Sequence, residues 1–220
     1  MIEVSANDDG ARARRDTWMT GGVLFVLSAL ATVVPPELTF GLPFDIASLL
    51  FGLGAVIFAI GLGSAGSVTA RRPLGTGAIV ALVAWTVAVA PVLWMLVTRD
   101  GPIERGADAY YSTVTVASIA TELISVALAL IATAQIGRAG VVPKPWRWAP
   151  LWALVAVVVA QLVPNLVASS GAVTDQTQLI ALFSLIGLMT ASAVAFLGVA
   201  AIVLALRPVR GSTAVYGSAT

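Results

Sequence analysis

No histidine and no cysteine occurs among the 220 residues. Their absence excludes disulfides, thiolate nucleophiles, zinc sites built on either side chain, histidine-held haem and imidazole acid–base catalysis. With no cysteine to read, the redox compartment stays open. Charge is scarce as well: Asp, Glu, Lys and Arg together make up 10% of the chain, where an average soluble domain carries about 25%. Lys144 is the single lysine. No glycine-rich run is followed by Lys-Ser or Lys-Thr, so there is no phosphate loop.

Apolar side chains fill the space. They account for 59% of the residues, and the mean hydropathy is +0.97. A soluble fold of this size could not bury that much, and the apolar runs are too long for soluble helices. The chain therefore reads as all-α, a polytopic membrane protein. A spanning helix needs about 20 mostly apolar residues. Six segments meet that length: 18–34, 46–64, 77–97, 113–136, 148–168 and 179–206. The expected organisation is a flexible tail over 1–17, a six-helix transmembrane bundle over 18–206 and a second flexible tail over 207–220.

The net charge of +1 conceals an asymmetry. Arg12, Arg14, Arg15, Arg71, Arg72, Arg138, Lys144, Arg147, Arg207 and Arg210 fall on one side of the six spans, and only Arg99 and Arg105 on the other. The positive-inside rule then places both termini in the cytoplasm. The opposite loops hold Glu37, Asp45, Asp100, Glu104, Asp108 and Asp175. Trp18, Trp146, Trp148 and Trp152 mark the basic ends of the spans, and Trp94, Tyr110 and Tyr111 the opposite ends, as amphipathic rings prefer headgroup level. The first span, with Ala29-Leu30-Ala31, has some features of a cleavable signal. Its leader carries Glu3, Asp8, Asp9 and Asp16, which favours a retained span. The Ala- and Val-rich composition, with Arg far above Lys, suggests a bacterium with a GC-rich genome, hence a bacterial plasma membrane.

The first, third and fifth spans meet proline near their outer ends, at Pro35-Pro36, Pro91 and Pro164. ALVAWTVAVAP (81–91) and ALVAVVVAQLVP (153–164) look alike, and a threefold hairpin repeat would produce that. Chance similarity between Ala/Val/Leu runs explains it more simply. Pro91 and Pro164 should kink their helices, because each removes a backbone donor.

Glu122 is the one ionisable residue well inside a span. It lies about 14 Å along the fourth segment at 1.5 Å per residue. An ionised group at that depth costs about 2.5–3.5 kcal/mol on insertion scales, so it should be protonated, or paired and turned inward. Asp108, Tyr111, Thr115, Ser118, Glu122 and Ser125 follow one another at spacings of three and four, which is one helix face. Gln161 of the fifth segment reaches similar depth, Asn165 lies about one turn further out, and both offer amide partners. Two readings remain open. Thr115, Ser118, Glu122, Ser125, Gln161 and Asn165 could form a proton-coupling or cation-binding site of a small-solute transporter or permease subunit. They could equally form a polar helix-packing seam in a non-enzymatic membrane component.

Small residues recur every fourth position at Ala55, Ala59 and Gly63, and at Gly187, Ala191 and Ala195. Such faces allow close helix contact, within the chain or with a homo-oligomeric or membrane-protein partner. GLGSAG (61–66) matches a dinucleotide fingerprint only by letter: a membrane helix precedes it where a strand is needed, and no acid follows before Arg99. The basic loops read as topology determinants, with anionic lipid as a second use. The cations are split among short segments, which disfavours nucleic acid. Asp100, Glu104 and Asp108 read as a solvated acidic loop more readily than as a cation site. No cofactor, metal or catalytic set is expected.

Overall fold

The computed structural model describes residues 3–34, 45–62, 67–69, 72–169 and 175–207. Among them the chain is helical and contains no strand. Helix α1 covers Glu3–Val33, α2 Ile46–Ile60 and α3 Pro73–Ala84. A π-helical turn, Trp85–Val89, leads into α4, Ala90–Thr98. The short α5, Pro102–Arg105, precedes α6, Ala107–Ala139; α7 is Ala149–Ser169 and α8 Gln176–Leu206.

Local chemistry fixes the helix ends. Asp45 caps α2, accepting from the amides of Ala47 and Ser48 at 3.1 Å each. Asp175 caps α8 through the Thr177 amide at 3.1 Å. Two carboxylates of the acidic loops thus satisfy donors that a helix start leaves unpaired. Proline opens α3 and α5, where a missing N–H costs nothing. Gly140, at φ +70°, ends α6 in the left-handed conformation that glycine adopts without strain.

Two elements depart from expectation. The segment 3–17 continues α1 as helix instead of forming a tail. It contains no proline and several strong helix formers, and Arg14 ties it down: its guanidinium donates to the Val141 carbonyl at 3.2 Å and lies 5.0 Å from the Trp18 ring centroid. Residues 208–220 of the other expected tail lie outside the described residues. At Pro91 the chain widens into the π turn just upstream, where the Ala90 amide bonds to the Trp85 carbonyl. A proline ring clashes with the carbonyl four residues earlier, and a wider turn relieves that crowding. Helix α7, by contrast, stays α-helical across Pro164.

The long helices form a ring in chain order. α1 packs on α2, α2 on α3 and the π turn, α3 and α4 on α6, α6 on α7, α7 on α8, and α8 returns to α1. Helices α1 and α2 run antiparallel. The Ser28 hydroxyl of α1 donates to the Ala47 carbonyl at the start of α2, while the Leu62 amide beyond the end of α2 donates to Thr17 Oγ1; both bonds are 2.8 Å. The tightest approach is α1 on α8. A Cβ on Gly22 would stand 2.8 Å from the Gly198 carbonyl oxygen, and one on Gly198 would stand 2.7 Å from that of Gly22. In α2, Ala55 and Ala59 are buried in the core, whereas Gly187 of α8 meets nothing and Gly63 lies outside the described residues.

The interior is small and mixed. Phe25 stacks on Phe51 at 5.1 Å and meets Phe58 edge-on at 5.3 Å, with Ala55, Ala59, Ala78 and Ile79 around them. Thr17, Ser28, Ser67, Thr69 and Thr133 are buried too. The outer surface is where the large apolar side chains stand, such as Leu30, Met95, Leu123, Trp152 and Leu188. A soluble monomer exposes no such continuous apolar coat. Among the described residues, four helical stretches are long and apolar enough to cross a membrane: Gly10–Val33, Pro73–Thr98, Ala107–Ala139 and Ile180–Leu206. Helix α2 and the stretch Ala149–Leu162 of α7 are apolar but shorter.

Candidate functional site

Glu122 sits near the midpoint of α6, a 33-residue helix. Only the C-terminal part of that helix is enclosed: its buried residues are Ala132, Thr133 and Gly137. There Gln135 faces Gly75 of α3, and the Trp148 ring covers Gly137. Toward its N-terminus α6 meets α4 and α5, but no residue there is fully buried. Val116, Ile119 and Leu123 are exposed, and Glu122 is exposed with them, forming no hydrogen bond or ion pair among the described residues. The sequence expects this carboxyl to be protonated, or paired and turned inward; the fold leaves it on a side of α6 that no neighbouring helix covers.

The hydroxyls of the stripe are already committed to their own helix. Thr115 donates to the Tyr111 carbonyl, Ser118 to Thr115 and Ser125 to Thr121, each at 2.8 Å. Such back-bonds satisfy the hydroxyl without touching a second helix. Thr121, beside Glu122, has a buried Oγ1 with no partner among the described residues. Gln161 is half-buried on α7 and has a bonding partner. Asn165 lies on α7 as well, but its side chain falls outside the described residues. In the acidic loop, Asp100 forms an ion pair with Arg105 at 2.7 Å, and among the described residues no cluster of three metal-ligating side chains forms.

A feature that the sequence did not reveal lies inside the ring, toward the end that carries the basic residues. An apolar cavity of about 170 Å³, partly open to the outside, receives side chains from α1, α2, α3, α6, α7 and α8. Trp18 and Phe25 form one wall, Phe51 and Phe58 another, and Trp146 and Leu204 the basic end. Glu122 lines neither this cavity nor the shallower α7–α8 groove. Trp18 is 3% exposed, yet its indole Nε1 donates to nothing among the described residues. Arg147, next to Trp146, likewise has a buried Nε without a partner, its guanidinium 5.2 Å from the Trp148 ring centroid.

The floor of this end is a folded-back turn. After α2, Ser67 donates to the Ala59 carbonyl at 2.6 Å and the Val68 amide to the Phe58 carbonyl at 2.9 Å. Thr69 Oγ1 lies 2.8 Å from Thr76 Oγ1 at the start of α3. The hydroxyl-rich run after GLG is the signal for this turn, since buried backbone groups there require such partners. Compared with family models, curated proteins and solved structures, the chain matches none, so its functional reading rests on its own residues.

Proposed function

We propose that this chain is a six-span integral protein of a bacterial plasma membrane, with both termini cytoplasmic, and that it acts as a non-enzymatic subunit of a larger membrane assembly. The observation that carries this reading is Glu122, an exposed carboxyl with no partner among the described residues, near the middle of α6 and among exposed apolar side chains. Left against hydrocarbon, an ionised side chain costs about 2.5–3.5 kcal/mol by insertion scales. A helix of a partner protein that presents a hydrogen-bond donor removes that cost. The partly open face with Val116, Ile119 and Leu123 supplies apolar contact around it. Two further features support six crossings. Helix α2 bonds α1 near both of its ends, so it shares the slab that α1 crosses. Helix α7 packs along α8. A proton-coupled permease would need a water path to the carboxyl, and neither described cavity reaches it.

The test is photo-crosslinking in the native membrane from a benzoyl-phenylalanine placed at Leu123, with the adduct identified by mass spectrometry. A defined protein adduct is expected, either to a second copy or to one other membrane protein. It should survive Glu122→Gln, which keeps a hydrogen-bonding group, and disappear in Glu122→Leu. Adducts to lipid alone, or a protein adduct indifferent to both changes, would remove the basis for the assembly reading.

A further inference from the structure

The cavity at the basic end joins apolar walls to an unpaired buried donor. Its walls are apolar, so water, which needs two to four polar partners, is a poor occupant. Yet the Trp18 indole that forms part of the wall is almost wholly buried with its N–H unpaired. An orphaned buried donor costs about 1–3 kcal/mol. The fitting occupant is therefore mostly hydrocarbon, with an acceptor at one end. Cations stand at that same end. Arg14 lies one turn from Trp18 and bonds the Val141 carbonyl, next to Val142 in the cavity wall. Arg147 lies between Trp146 and the wall residues Ala149 and Pro150, with its Nε free among the described residues.

We propose that this cavity holds the head-proximal segment of one acyl chain of an anionic membrane lipid. The ester carbonyl accepts from the Trp18 N–H, and the phosphate lies against Arg14 and Arg147. The dimensions agree. From Trp18 to Phe25 the wall runs for about 10 Å at 1.5 Å per residue. The volume of about 170 Å³ is close to that of the roughly 150 Å³ engineered apolar cavity that accepts benzene, which is room for a short run of methylenes. The partial opening lets the remainder of the lipid stay in the bilayer. The inference does not depend on what covers Glu122, which lines no part of this cavity.

The experiment is native mass spectrometry of the full chain released from nanodiscs of equal phosphatidylglycerol and phosphatidylcholine. One phosphatidylglycerol per chain is expected to stay bound in preference to phosphatidylcholine. Trp18→Phe keeps the ring and loses the donor, so retention should fall about five- to tenfold, the worth of one hydrogen bond. Ala200→Phe fills the cavity and should abolish retention; Leu82→Phe repeats the test from another wall if the first variant unfolds. Inorganic phosphate in excess should leave the lipid in place. No retained lipid, equal retention of both headgroups, displacement by phosphate alone, or unchanged retention in the folded filling variants would each overturn the proposal.

Discussion

Glycine positions in this chain differ sharply in what they tolerate, and the difference is measurable. Gly198 faces the backbone of α1, where an added methyl would meet the Gly22 carbonyl at 2.7 Å and the Val26 amide nitrogen at 3.0 Å. Backbone cannot give way as a side chain does, so Gly198→Ala should destabilise by about 1–3 kcal/mol, typical of overpacking. Gly187, on the same helix, has nothing within 4 Å; Gly187→Ala should be neutral or stabilise by up to about 1 kcal/mol through helix propensity. Thermal unfolding of the two variants in one detergent checks the order; equal midpoints would contradict the α1–α8 crossing. The Arg105–Asp100 pair makes the opposite case. Both partners are about a third or more exposed, so Arg105→Ala should change stability by less than about 1 kcal/mol, with the same assay as its check. Of these positions the sequence made Glu122 visible, since one acid in a long apolar run needs no structure to be noticed. Its surroundings stayed hidden, because a polar stripe says which residues share a helix face but not whether a second helix covers that face. The Gly22–Gly198 contact was hidden for a related reason: it joins residues on two helices, and no spacing within either helix records it.

Segment boundaries were legible where a physical stop exists. Asp45, Asp175 and Gly140 are capping residues by type, and each ends or begins a helix where the apolar pattern changes. The π turn was half legible. Pro91 announces a disturbance, but not whether the helix bends or widens. If proline imposes the turn, Pro91→Ala should return Trp85–Val89 to ordinary α-helical amide and carbonyl chemical shifts in micelle NMR. If the π pattern persists, packing holds it instead, through the buried Trp85 indole or through Val87 against Gly52. The helical course of 3–17 was misjudged because polarity was taken as a sign of looseness. Arginine is both charged and a good helix former, and Arg14 has a specific acceptor on a loop 127 residues away.

The ring as a whole follows from a simple inversion. Small residues and the hydroxyls of Thr17, Ser28, Ser67, Thr69 and Thr133 are buried, many large aliphatic side chains stand outside, and most cations, though not Arg99 and Arg105, lie toward one end. Composition alone pointed to lipid as the solvent, and the large apolar side chains on the outer surface are compatible with that. The cavity was not legible, because it is assembled from residues of six helices and two connecting segments, none unusual in its own segment. What most needs testing is the number of crossings, since α2 and the stretch Ala149–Leu162 are shorter than the other long helices. The absence of native cysteine makes that direct. Single cysteines at Asp45, Arg72, Glu104, Lys144 and Asp175 can be labelled in intact cells with a membrane-impermeant maleimide. Six crossings predict labelling at Asp45, Glu104 and Asp175, with Arg72 and Lys144 protected until the membrane is opened. Asp45 and Arg72 reacting alike would mean that α2 does not cross, and would contradict the account.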